Sequence, residues 1–226
     1  MSTTRRVAAE AVGTAFLVMA VVGSGIAAQR LSPDDVGLQL LENSIITGAA
    51  LVALILALQP VSASFNPVIT VIERVLGQVT TSHAALSIIA QGAGGVVGAV
   101  LANLMFDLDA VSLSGHHRVD HGTLLAEVVA TAGLVVIVFG SIRGGRSDTV
   151  AYAVGGYITA AYWFTSSTSF ANPAVTLART LTDTFAGIAP ASVPAFVLMQ
   201  VFGGAIGLGL VVLLHPEPAD VEGASA

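Results

Sequence analysis

The 226-residue sequence predicts an all-α integral membrane protein with six transmembrane helices, two re-entrant half-helices and an inverted 3+3 repeat. Three observations predict it: an apolar composition, long charge-free intervals, and an Asn-Pro motif repeated in two similar halves. Charged residues make up 10% and hydrophobic residues 54% of the chain, against about 25% charged in typical globular proteins. Mean hydropathy is +0.86. Eight basic residues, all arginine, and fourteen carboxylates cannot cover a water-exposed surface of this size. The composition excludes a nucleic-acid binder, a disordered chain and, with no cysteine, a secreted disulfide scaffold.

The charge-free intervals run 11–29, 43–72, 75–106, 128–142, 149–178 and 184–216, with only His83 and His215 inside them able to take up charge near neutral pH. Crossing a hydrocarbon core of about 30 Å takes about 20 apolar residues in a helix. The intervals therefore predict helices near 8–27, 43–60, 84–104, 124–142, 149–167 and 194–214. Two intervals, 43–72 and 149–178, are too long for one helix and too short for two. Each leaves about a dozen apolar residues containing Asn-Pro, the size of a re-entrant half-helix and not of a crossing.

Six crossings place both termini on one side. Taking that side as cytoplasmic, the inner loops hold Arg5, Arg6, Arg74, Arg143 and Arg146, and the outer loops Arg30, Arg118 and Arg179. This excess follows the positive-inside rule. Arg5-Arg6 followed by an apolar stretch also has the outline of a signal peptide. Glu10 interrupts that outline, and the first segment has a counterpart deeper in the chain.

That counterpart is part of an internal repeat. Glu10-Ala-Val-Gly-Thr14 matches Glu127-Val-Val-Ala-Thr131. Asn66-Pro67-Val68-Ile69-Thr70 matches Asn172-Pro173-Ala174-Val175-Thr176. Gln91 and Gly94, then Gly98, match Gln200 and Gly203, then Gly207. The offsets are 117, 106 and 109 residues, in the same order. Three spans per half send the second half in from the opposite side, giving a pseudo-two-fold axis in the membrane plane. The chain reads as one domain, 1–226, with repeat one at about 5–105, repeat two at about 122–215 and an acidic disordered tail at 216–226.

Asparagine is a preferred N-cap and proline a preferred first helical residue, so Asn66-Pro67 and Asn172-Pro173 mark helix starts. Half-helices of about eight residues are about 12 Å long. Entering from opposite faces, their starts meet near mid-bilayer, each carrying about +0.5 charge. With two asparagine amides as donors, such a waist suits neutral hydroxylated solutes and repels protons and cations.

With these motifs the chain resembles the aquaporin and aquaglyceroporin family of major intrinsic proteins over essentially its full length. The carrying residues are Glu10, Glu127, the boxes Asn66-Pro67-Val68 and Asn172-Pro173-Ala174, and the Gln91/Gly94/Gly98 pattern. The resemblance implies a pore through each subunit, a homotetramer, no cofactor or metal, and no enzymatic activity. It also implies that Glu10 and Glu127 brace the re-entrant loops. The run from Thr168 to Arg179 is similar to that of bacterial members associated with arsenic handling, which implies a bacterial cell membrane; water, glycerol-sized polyols and the neutral trihydroxide of arsenic(III) are the solutes a mouth without the family's arginine should fit.

The first box reads Asn-Pro-Val where the family usually has Asn-Pro-Ala, so Val68 implies a local repacking. Most members carry an arginine directly after the second box. Val175 stands there, and Arg179, four residues on, is not in register with it. Family spacing puts the other filter positions at Ile46, Ala160 and Ser169, which implies a wide, weakly polar outer mouth. Tyr162, Trp163 or Phe164 folding inward would close it. Trp163 and the neighbouring tyrosines otherwise read as interface anchors. The cluster His116, His117 and His121 matches no metal-site spacing and reads as a solvated loop. His83 precedes a helix and is placed to face the cytoplasm. The four paired glycines read as close-packing sites. The competing function is an ion-coupled secondary transporter built on inverted repeats. Such a transporter needs carboxylates at mid-membrane, and the charge-free intervals supply none at that depth.

Overall fold

The computed structural model describes residues 2–216. It holds eight α-helices: α1 (Thr3–Leu31), α2 (Val36–Leu58), α3 (Pro67–Val75), α4 (Thr81–Met105), α5 (His121–Arg143), α6 (Val150–Phe164), α7 (Pro173–Ala178) and α8 (Val193–Leu214). No strand occurs among the described residues. The acidic tail predicted at 216–226 lies outside them except for Pro216.

Local chemistry sets the helix starts. Asp35 accepts from the Leu38 N–H at 2.9 Å, Thr80 from the His83 N–H at 3.2 Å, and Asp120 from the Thr123 N–H at 2.9 Å. The Thr123 hydroxyl in turn accepts from the Asp120 N–H, closing a capping box. Among the described residues, five helices are long and apolar enough to cross a membrane: α1, α2, α4, α5 and α8. The predicted sixth span is shorter than expected. α6 has 15 residues and ends at Phe164, not at 167, because Thr165 turns extended and begins the second re-entrant loop. A 3₁₀ turn at Ser147–Thr149 precedes it.

The halves pack alike. α1 lies against α4, and α5 against α8. An added Cβ would overlap a backbone carbonyl at each of the paired glycines: Gly94 and Gly98 against Ala11 and Ala15, Gly203 and Gly207 against Val128 and Ala132. Only glycine lets these backbones touch. A further close approach, not anticipated from the sequence, joins the halves where α2 crosses α6. A Cβ on Gly48 would stand 2.8 Å from the Gly155 carbonyl, and one on Gly155 2.7 Å from that of Gly48. Large apolar side chains such as Phe16, Ile89, Phe202 and Leu213 project outward from the bundle, as lipid contact requires.

Candidate functional site

Each half-helix begins where the sequence places it. Asn66 caps α3, its side-chain oxygen accepting from the Val68 N–H at 2.9 Å. Asn172 caps α7, accepting from the Ala174 and Val175 N–H groups at 3.0 and 3.3 Å. Pro67 and Pro173 hold the first helical position of each. α3 has nine residues and α7 six, with a 3₁₀ turn at Arg179–Leu181 continuing the second.

The two starts clasp each other. The Asn66 amide donates to the Ala171 carbonyl and the Asn172 amide to the Phe65 carbonyl, both at 2.7 Å. Phe65 and Ala171, each directly before its asparagine, share a left-handed φ of 47°. Thr168 and Ser169 are left-handed as well. Such backbone costs a residue with a side chain roughly 1–3 kcal/mol and persists only where its surroundings impose it. Here the clasp and the glutamates below impose it.

Glu10 and Glu127 are fully buried. One Glu10 oxygen accepts from the Ser62 hydroxyl at 2.6 Å and the Ser64 N–H at 2.9 Å; the other from the Phe65 N–H and the Gln91 amide, both at 2.7 Å. Glu127 accepts from the Phe170 and Ala171 N–H groups at 2.9 Å and from the Gln200 amide at 2.6 Å. Each glutamine amide also donates to a half-helix threonine, Gln91 to Thr70 and Gln200 to Thr176. A buried carboxylate without a cation persists when several donors converge on it.

A cavity of about 410 Å³ runs past this clasp. Its one end carries Arg6, Gln59, Glu73 and His83, its middle Asn66 and Asn172, and its other end Tyr162, Ser169, Val175 and Arg179. Of the four predicted filter positions, Ser169 and Val175 line it. Ile46 and Ala160 do not. Ile46 is 44% exposed on the outside of α2, and Ala160 is likewise exposed on α6. Their helical neighbours face inward instead: Thr47 and Tyr162 line the cavity, their hydroxyls 3.2 Å apart. Both register errors have one cause. Helix phase shifts by about 100° per residue, so counting back through an irregular loop from an asparagine accumulates an error of one or two positions.

Of the aromatics at the end of α6, Tyr162 turns inward and is 3% exposed, so it is not an interface anchor. Of the three aromatics that could fold inward, only Tyr162 lines the cavity; Trp163 and Phe164 are about half exposed and do not, and the Trp163 indole donates to the Ser44 hydroxyl at 3.1 Å. Tyr157 also points inward, donating to the Ala130 carbonyl at 3.0 Å. The loop with His116 and His117 lies along the segment after α7, through Ser114 N–H to Thr180 and Arg118 to Gly187.

Val68 lies outside the cavity lining. Its side chain is 5% exposed and rests on α8 at Gly204, where a Cβ would fall 2.5 Å from a Val68 methyl. In the other half, a Cβ on Gly95 of α4 would meet the Ala178 methyl at 3.1 Å and the Ala174 carbonyl at 3.3 Å. The larger box residue is thus accommodated by a bare backbone on the neighbouring helix. Val68→Ala should leave solute flux within about twofold of wild type while costing about 1.5–2.5 kcal/mol of stability, from two lost methyls and the void they leave. Flux and detergent unfolding of one preparation check both halves.

The profile of the family described as "Major intrinsic protein" matches residues 1–151. The aquaglyceroporin AqpS of Rhizobium meliloti (strain 1021) is 49% identical over 215 residues, covering 94% of this chain and 91% of that one. Among solved structures, the aquaglyceroporin of Plasmodium falciparum superposes with a TM-score of 0.71 at 15% identity, covering 93% of this chain and 96% of that chain. The last similarity is one of fold.

Proposed function

The chain belongs to the major intrinsic protein family, and on that premise we propose that it forms a passive transmembrane channel for small uncharged solutes. The observation that carries this reading is the clasp of Asn66 and Asn172 inside a cavity bordered by residues from both ends of the bundle. Each amide spends one hydrogen on the opposite loop and keeps one for a passing oxygen. Two half-helix starts, each with about +0.5 charge, disfavour protons and cations there. Water, glycerol-like polyols and the neutral trihydroxide of arsenic(III) are the solutes proposed. The name of the similar AqpS supports the polyol class.

Thr47, Tyr162, Ser169 and Val175 form the outer filter in this reading, with Thr47 and Tyr162 replacing Ile46 and Ala160. The channel sits in a bacterial cell membrane with cytoplasmic termini and assembles as a homotetramer through its outward apolar faces. A coupled transporter is disfavoured because the oxygens of both buried glutamates are already taken by protein donors.

Shrink–swell light scattering on proteoliposomes tests the proposal. Rapid glycerol and water flux, with a low activation energy and no dependence on an ion gradient, is expected. Flux that requires an ion gradient would replace the channel with a transporter. Val175→Arg narrows the outer mouth and should lower glycerol flux at least about tenfold while sparing water. Equal glycerol flux in both proteins would remove Val175 from the filter.

A further inference from the structure

We infer that Arg179 supplies the cationic donor of the outer mouth, from a place in the chain one helical turn beyond Val175. This rests on the channel reading and goes beyond it by assigning the charge that discriminates against cations.

Arg179 is the first residue of the turn that continues α7 and is 2% exposed, yet it lines the cavity. Its Nε donates to the Ala186 carbonyl. Its Cζ lies 3.5 Å from the centroid of the Phe170 ring, on which the guanidinium rests. Among the described residues it makes no ion pair, and its terminal amino groups have no hydrogen-bond partner. They are also absent from the buried atoms left without one, so they meet open space. That space is the cavity. A guanidinium withdrawn from bulk water without a carboxylate is costly. The ring face and the Ala186 carbonyl hold it from one side, and the other is left for a solute.

The Glu127 carboxylate also acts on Arg179, with its oxygens taken by the Phe170 and Ala171 N–H groups and the Gln200 amide, and two arginines outweigh it at this end. The Ser169 hydroxyl, 4% exposed, is unpartnered at the same end. The hydroxyls of Thr47 and Tyr162 stand nearby along the lining. A second guanidinium, that of Arg118, lies 5.3 Å from the same Phe170 ring. The lining carboxylate, Glu73, is at the opposite end beside Arg6 and His83. This end therefore offers donors and positive potential to uncharged solutes rich in acceptor oxygens, and repels small cations.

Proteoliposomes carrying wild type, Arg179→Leu and Arg179→His test the assignment by water flux, glycerol flux and uptake of methylammonium. Arg179→Leu should raise the ratio of methylammonium uptake to water flux at least about tenfold over wild type. Arg179→His titrates within one folded protein. Its methylammonium uptake should rise about tenfold from about pH 5.5 to about pH 8 as the imidazole loses its charge, with no such rise in wild type beyond the change in probe ionisation. An unchanged ratio of methylammonium uptake to water flux in a variant that still conducts water overturns the assignment. So does the loss of water flux in both variants, since Arg179 then supplies packing on Phe170 and not charge. Wild-type vesicles that pass neither water nor glycerol overturn the channel reading itself, a separate outcome.

Discussion

Glu10→Leu should abolish solute flux and destabilise the protein by at least about 3 kcal/mol, the range for removing a buried charge partner that holds several donors. Four donors lose their acceptor together: the Ser62 hydroxyl, the Ser64 and Phe65 N–H groups and the Gln91 amide. The Phe65 N–H and the Gln91 amide hydrogen that faces the carboxylate are buried among protein atoms and have no other acceptor there, while Ser62 and Ser64 border the cavity. Phe65 stays left-handed only while its N–H is held, and its carbonyl is what the Asn172 amide grips. Loss of the carboxylate therefore propagates to the waist through one residue. Glu10→Gln keeps one acceptor oxygen but presents an amide donor to donors, so its cost falls between wild type and leucine. Detergent unfolding of the three proteins, with flux on the same preparations, checks the order. Equal unfolding midpoints for wild type and Glu10→Leu would remove Glu10 from the bracing role. The same series at Glu127 should run parallel, because it holds Phe170 and Ala171 in the same way.

Gly98→Leu should prevent assembly of the native bundle, at a cost above about 3 kcal/mol, beyond the usual range of overpacking. The Cβ alone already overlaps the Ala15 carbonyl, a backbone atom that cannot swing aside as a side chain would. The axes of α1 and α4 would have to separate, and α1 carries Glu10 with it. Gly209→Leu is the control. Its Cβ would meet nothing within 4 Å, so this substitution in an outward position should be neutral or mildly stabilising through helix propensity. Size-exclusion profiles in detergent distinguish them: one sharp native peak for Gly209→Leu, aggregate or loss of protein for Gly98→Leu. A native peak for both would mean the close approach of α1 and α4 is not required.

Much of this was legible because membrane insertion writes itself on composition. Charge-free intervals of a given length have few structural solutions, and both half-helix starts follow from an N-cap followed by proline. The glutamates, glutamines and paired glycines were legible as a repeat, since each half must solve the same packing problem. The inward-facing residues beside the outer mouth were harder to read. The periodicity of a helix buried on one side by protein and on the other by lipid carries almost no amphipathic signal, as both solvents are apolar. Ile46 and Thr47, or Ala160 and Tyr162, therefore look equivalent until the helices are packed.

By itself the sequence determined the number of crossings, the inverted repeat and the identity of the two asparagines, because desolvation of the backbone leaves no other arrangement for such intervals. Only the tertiary structure decided which side chains border the cavity, how Val68 is absorbed by Gly204, and that Arg179 turns its free nitrogens into open space. These depend on helix phase and on contacts between residues a hundred positions apart, which local chemistry does not encode.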